Sequence, residues 1–206
     1  MTNRRDFIGA STSVAAAGAS LATASPSFPS TELDAVANAL ARPARHRQVF
    51  AVARVADGVV ASYIGHALEA YESTLGEGAG ALHAAAVFYG RGVVLGLNDR
   101  AWKTYRLADA ARRRAETISS SASDANPFSA ALSALVARGT TLLVCDNALA
   151  DWSAYLAAAL GVERSPADIH ADLRANLLAG AHLVPAGVAA LNAAQEAHFT
   201  FFQASI

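Results

Sequence analysis

Thr140-Thr141-Leu142-Leu143-Val144-Cys145-Asp146-Asn147-Ala148-Leu149 decides how the chain folds. An apolar run of leucines and β-branched residues, stopped abruptly by Cys-Asp-Asn, reads as a buried strand. An alanine-rich helical pattern follows, Ala148 to Leu160. The only cysteine of the chain therefore falls at the carboxyl end of a strand, just ahead of a helix N-terminus. Open parallel sheets place their ligands outside that end, and a helix N-terminus favours a thiolate over a thiol.

Working outward, the same alternation recurs. Gln48–Val55 reads as a first strand, and Val59–Leu75 as a helix with Val60, Ile64, Leu68 and Tyr71 on its apolar face. Ala81–Phe88 is the second strand, so a right-handed βαβ unit is expected. Val93–Leu97 follows too closely to be a further parallel strand and reads as a short helix or irregular wall. Asn98-Asp99 opens a helix carrying Trp102 and Tyr105. Asn126-Pro127 reads as an N-cap with proline at the first helical position. Ser165-Pro166-Ala167-Asp168 resembles a capping box for a helix running to Gly180. Ala181–Val184 is a fourth strand, Gly187–Ala197 a helix and Phe199–Gln203 a fifth strand. The expected fold is α/β, a three-layer sandwich around a five-stranded, mainly parallel sheet with Thr141–Val144 central.

The amino terminus carries a different message. Asn3-Arg4-Arg5-Asp6-Phe7-Ile8 precedes a weakly apolar run, Ile8 to Ala24, that ends in the small-x-small triplet Ala22-Thr23-Ala24. That is the pattern of a twin-arginine export signal. The run is too short and too polar for a comfortable membrane span. The expected organisation is a signal peptide over 1–24, a proline- and serine-rich tether over 25–47, and one domain over 48–206. Export implies an oxidising, periplasmic setting, where a single cysteine can form no internal disulfide.

Composition narrows the function classes. Lys+Arg is 16 against 17 Asp+Glu, a formal charge of −1, so nothing marks a nucleic-acid surface. No phosphate-binding Gly-Lys-Ser/Thr loop is present, and Gly90-x-Gly92-x-x-x-Gly96 is a poor dinucleotide fingerprint. The six histidines show no metal-ligand spacing. No metal or cofactor is expected. His66 and His170 read as helix-surface or rim residues, and His182 as a hydrogen-bonded core residue. Four strand ends converge in such a sheet: Val55–Gly58, Tyr89–Gly92, Cys145–Asn147 and Pro185–Gly187. Cys145 is either a small buried hydrophobe or a nucleophile and sulfur carrier. Trp102 is either core or a ligand wall.

Several stretches, in order and spacing, resemble the DsrE/DsrF-like (YchN-like) family in its exported, twin-arginine branch. They are Tyr89-Gly90 through Asn98-Asp99 with Trp102-Lys103 and Tyr105; Asn126-Pro127-Phe128; Cys145-Asp146-Asn147-Ala148-Leu149; Leu183-Val184-Pro185-Ala186-Gly187; and Gln195-Glu196. The resemblance spans most of the chain beyond the tether. It implies a parallel five-stranded α/β sandwich, a homo-oligomer (trimer or hexamer), and sulfane-sulfur relay through a persulfide on Cys145. Asn147, Tyr89, Gly90, Asn98, Trp102 and Gly187 are the expected ligand-binding residues around it. A sulfur donor or acceptor, protein or small molecule, is the expected partner. Many relatives carry His-Gly where this chain has Tyr89-Gly90. The alternative is a non-catalytic ligand-binding or assembly module of the same fold, with Cys145 structural.

Overall fold

The computed structural model describes residues 36–120, 124–159, 161 and 163–204; the export signal and the first part of the tether lie outside them. Five strands, β1 (His46–Val52), β2 (Leu82–Phe88), β3 (Thr141–Cys145), β4 (Ala181–Val184) and β5 (Thr200–Gln203), form one sheet in the order β4-β3-β2-β1-β5. Every pairing is parallel. The architecture is thus the expected α/β sandwich. The middle strand, however, is β2, buried along its whole length, while β3 lies one place towards the edge. The run Leu82–Phe88 is rich in small alanines, which let helices close on both of its faces; its low hydrophobic mass disguised its central position in the sequence.

Alternation along the strands builds two cores. Phe50, Ala84, Ala86, Phe88, Leu142 and Val144 face α2 (Val59–Glu69), α5 (Ser129–Ala137), α6 (Asp146–Ala159) and α7 (Pro166–Ala175). Val49, Ala51, Ala85, Val87 and Leu143 face α8 (Gly187–Glu196) and Leu40 of a helical stretch over 36–40, α1. Topology explains the division. The chain steps from β1 to β4 in one direction with its crossovers on one face, then returns from β4 to β5 across the sheet. A right-handed return must run over the opposite face, and α8 does so.

Several boundaries differ from the expected ones. Leu40 is buried and β1 starts at His46, so the folded part reaches further towards the amino terminus than Gln48. Gly90–Gly96 is a 3₁₀ segment, the short-helix reading of that wall. A Cβ at Gly92 would lie 2.5 Å from the Val52 carbonyl oxygen, so only glycine lets this segment close on β1. The helix opened by Asn98 breaks at Arg106, whose φ of 47° is left-handed, giving α3 (Asp99–Thr104) and α4 (Leu107–Arg113). α5 begins at Ser129, and Asn126 caps the turn that leads into it, its Oδ1 accepting from Phe128 N at 2.9 Å. Its amide also donates to the Leu95 and Leu97 carbonyls at 3.0 and 2.7 Å and pins the 3₁₀ segment. α7 stops at Ala175 rather than Gly180, because Leu177 bridges to Leu97. Its start is as expected, with the Ser165 hydroxyl accepting from Asp168 N. Among the described residues no helix is long and apolar enough to cross a membrane.

His83 on β2 sets a pH dependence. It is fully buried, with Nε2 3.0 Å from Thr141 Oγ1. Burial first, then the nearby Arg42 and Arg47 charges, pulls its pKa from 6.5 to about 4. Because the folded value lies below the unfolded one, the unfolded chain takes up the proton first. Stability held above the unfolded pKa is lost as pH falls towards the folded one, by about 3 kcal/mol in all. Urea midpoints near neutral pH and near pH 4.5 measure it; His83→Gln should show a smaller difference between the two conditions than the unsubstituted protein.

Candidate functional site

β3 hands the chain to α6 on one face of the sheet, and its neighbour β4 hands it to α8 on the other. Adjacent strands whose exits part in this way leave a crevice at their carboxyl ends, the switch point at which open α/β sheets bind ligands. Cys145 is the last residue of β3 and stands directly ahead of α6. Gly187 is the first residue of α8, and its N–H, one of the orphan donors of a helix start, donates to Cys145 Sγ at 3.1 Å. A second bond closes the crevice from below, Asn147 N to the Pro185 carbonyl at 3.3 Å.

A small pocket of about 200 Å³ opens there. It brings together Tyr89 and Gly90 from the end of β2, Cys145 and Asn147 from the β3–α6 junction, and Gly187 from α8, with Asp151 and Val188 at its rim. The volume is below that of usual small-molecule sites and suits a group of a few atoms. Cys145 is 5% exposed while Val188 is 67% exposed, so a recessed sulfur sits beneath an open apolar lip. Gly187 has no substitute, since a Cβ there would lie 2.5 Å from Tyr89 Cβ and 3.3 Å from Cys145 Cβ.

Two of the expected ligand-binding residues lie elsewhere. Asn98 caps α3, its Oδ1 accepting from Ala101 N at 3.0 Å while its amide donates to Asn176 Oδ1 at 3.3 Å. Trp102 is completely buried, and its Nε1 donates to the Val94 carbonyl at 2.9 Å. Both brace the 3₁₀ wall rather than line the pocket, and Trp102 takes its core reading. The tryptophan that does reach the site's edge is Trp152 on α6, whose Nε1 donates to the Gly90 carbonyl at 3.3 Å. Arg114 stacks over its ring, 4.6 Å from the centroid.

Sequence reading also missed a charge cluster one residue past the thiol. Asp146 is buried, and its Oδ1 lies 2.8 Å from His170 Nε2 and 3.5 Å from Arg174 Nε. His170 is therefore a paired residue rather than a bare rim histidine. Its signal in the sequence is the i, i+4 spacing of His170 and Arg174, which places both on one face of α7. His182 is only half-buried, because β4 is an edge strand, so the core reading of that histidine does not hold. Nearby, Tyr105 donates to Asp172 Oδ2 at 2.7 Å. Burial, and then this bond, raises the Tyr105 pKa, and the same bond holds the Asp172 carboxyl below its usual range.

No family model matches the chain, and no curated protein does. Among solved structures, a protein of unknown function from Methanobacterium thermoautotrophicum is similar at 17% identity with a TM-score of 0.43, over 77% of this chain and 98% of that one.

Proposed function

We propose that the protein is a DsrE-like sulfur carrier, exported by the twin-arginine pathway, that relays sulfane sulfur through Cys145. The observation that carries this reading is the Gly187 N–H aimed at Cys145 Sγ from a helix start, at the switch point of the sheet. A fixed backbone donor there stabilises negative charge on a sulfur without reorganising. In the loading step the Cys145 thiolate attacks the outer sulfur of a persulfide R–S–SH. The new Sγ–S bond forms, the donor's S–S bond breaks and R–S⁻ departs, with no net oxidation. The small pocket holds the added sulfur beside Tyr89, Gly90 and Asn147. Val188 offers an apolar contact to a donor or acceptor protein, and the family resemblance favours a homo-oligomer, trimer or hexamer.

The second reading is a binding or assembly module in which Cys145 is structural, and its 5% exposure favours that reading. Intact mass after incubation with polysulfide or thiosulfate separates the two. The carrier reading expects the unsubstituted protein to gain one sulfur atom and Cys145→Ser, nearly isosteric, to gain none. No gain with any sulfane donor leaves the binding module alone. Export has its own test. Arg4→Lys with Arg5→Lys should hold the precursor in the cytoplasm, as judged by fractionation, and a double variant still processed in the periplasm removes the twin-arginine assignment.

A further inference from the structure

A second cavity, of about 630 Å³, opens at the outer edge of β4 and shares no lining residue with the Cys145 pocket. Its volume falls within the range of small-molecule sites. Leu177 and Leu183 supply an apolar floor, and Ala171 leaves the α7 side low and accessible. Three basic side chains stand on its walls: His170 and Arg174 one turn apart on α7, and His182 on β4. No carboxylate among the described residues lines it. Behind the wall, Asp146 is 4% exposed and already engages His170 and Arg174 at 2.8 and 3.5 Å. That carboxylate fixes both side chains from the rear, and the imidazole bond uses Nε2, so Nδ1 faces a ligand and donates to an anion when the ring carries both protons. An open, mostly apolar groove with one permanent cation and two imidazoles on its walls selects a ligand with a matching head and body. Arg174 is a permanent cation whose planar fork suits a carboxylate.

We infer that this cavity binds a small organic anion, a carboxylate on an apolar body, its head group against Arg174 and the two histidines and its body over Leu177 and Leu183. The site is independent of sulfur transfer at Cys145, so either assignment can fail without the other. Benzoate is the test probe, with benzyl alcohol as its neutral counterpart, and calorimetry with the imidazole resonances of His170 and His182 as readouts. Benzoate should bind saturably, one per chain, and move both resonances, with benzyl alcohol clearly weaker. Arg174→Gln should weaken benzoate by about tenfold or more, the loss of one charge-assisted bond. Ala171→Trp, on an exposed helix position, fills the cavity and should abolish binding with the fold intact by circular dichroism. Equal binding of the two probes, unmoved histidine resonances, or full affinity in Ala171→Trp overturns the site. So does an Ala171→Trp protein that dissociates from an oligomer while the unsubstituted protein ignores benzoate, which makes the β4 edge a self-association face.

Discussion

Gly187→Ala is expected to slow sulfur loading of Cys145 by about a hundredfold. The added Cβ would sit 2.5 Å from Tyr89 Cβ and 3.3 Å from Cys145 Cβ, closer than packed carbons tolerate. Tyr89 and the start of α8 must part, and the Gly187 N–H, now 3.1 Å from Sγ, loses its aim. A misplacement of about 1 Å at a reacting group is enough for a loss of roughly that size. Overpacking should also cost about 1–3 kcal/mol of stability, so the rate is to be read well below the unfolding transition. Persulfide formation followed by quenched-flow mass measurement gives the number. Val188→Ala, at the exposed lip, is the control: with polysulfide as the donor, which needs no protein contact there, it should retain the fold and most of the rate. An unchanged rate in a folded Gly187→Ala protein would mean that the sulfur reacts outside the crevice.

Trp102→Ala should destabilise the fold more than Gly187→Ala does, by about 3–5 kcal/mol. The indole is wholly buried, packs edge-on to Phe128 with ring centroids 6.1 Å apart, and satisfies the Val94 carbonyl. At about 2–4 °C per kcal/mol for a domain of this size, the melting temperature should fall by roughly 6–20 °C. Trp102→Phe keeps most of the packing and leaves the Val94 carbonyl with the Leu97 N–H as its remaining donor, so the lost bond should cost only about 0.5–1.5 kcal/mol. Because Trp102 does not reach the Cys145 pocket, neither variant should change the loading rate at low temperature. Urea unfolding and loading kinetics on the same samples separate a core residue from a ligand wall.

The sheet was legible because its strands are short apolar runs bounded by turn residues, and Thr141–Val144 and Ala181–Val184 show this most clearly. The order of the strands was not, since periodicity says which residues face a core and nothing about which strand lies beside which. Alanine is a weak strand former, yet the small size of Ala84, Ala85 and Ala86 is what lets β2 occupy the middle. Asn126 carried a capping signature and its Oδ1 does accept from Phe128 N, but the second task of its amide, which satisfies two carbonyls of the 3₁₀ segment, has no local sequence signal. At the site, Cys145, Tyr89, Gly90, Asn147 and Gly187 could be named from strand ends alone, and they meet in one pocket. Asn98 and Trp102 could not be sorted from pocket residues, since an N-cap and a buried aromatic look the same in sequence whichever wall they support. The Asp146–His170–Arg174 cluster joins residues far apart in the chain, and only the packing of α7 against α6 brings them together.

Thiocyanate release decides whether Cys145 carries sulfane sulfur. Cyanide attacks the outer sulfur of a persulfide, breaking the S–S bond to give thiocyanate and returning the thiolate. The protein is loaded with polysulfide, desalted and treated with cyanide, beside Cys145→Ser handled identically. A carrier releases one thiocyanate per chain from the unsubstituted protein, with the mass returning to its starting value, and none from Cys145→Ser. No thiocyanate from the desalted protein, or equal amounts from both, contradicts sulfur relay at Cys145.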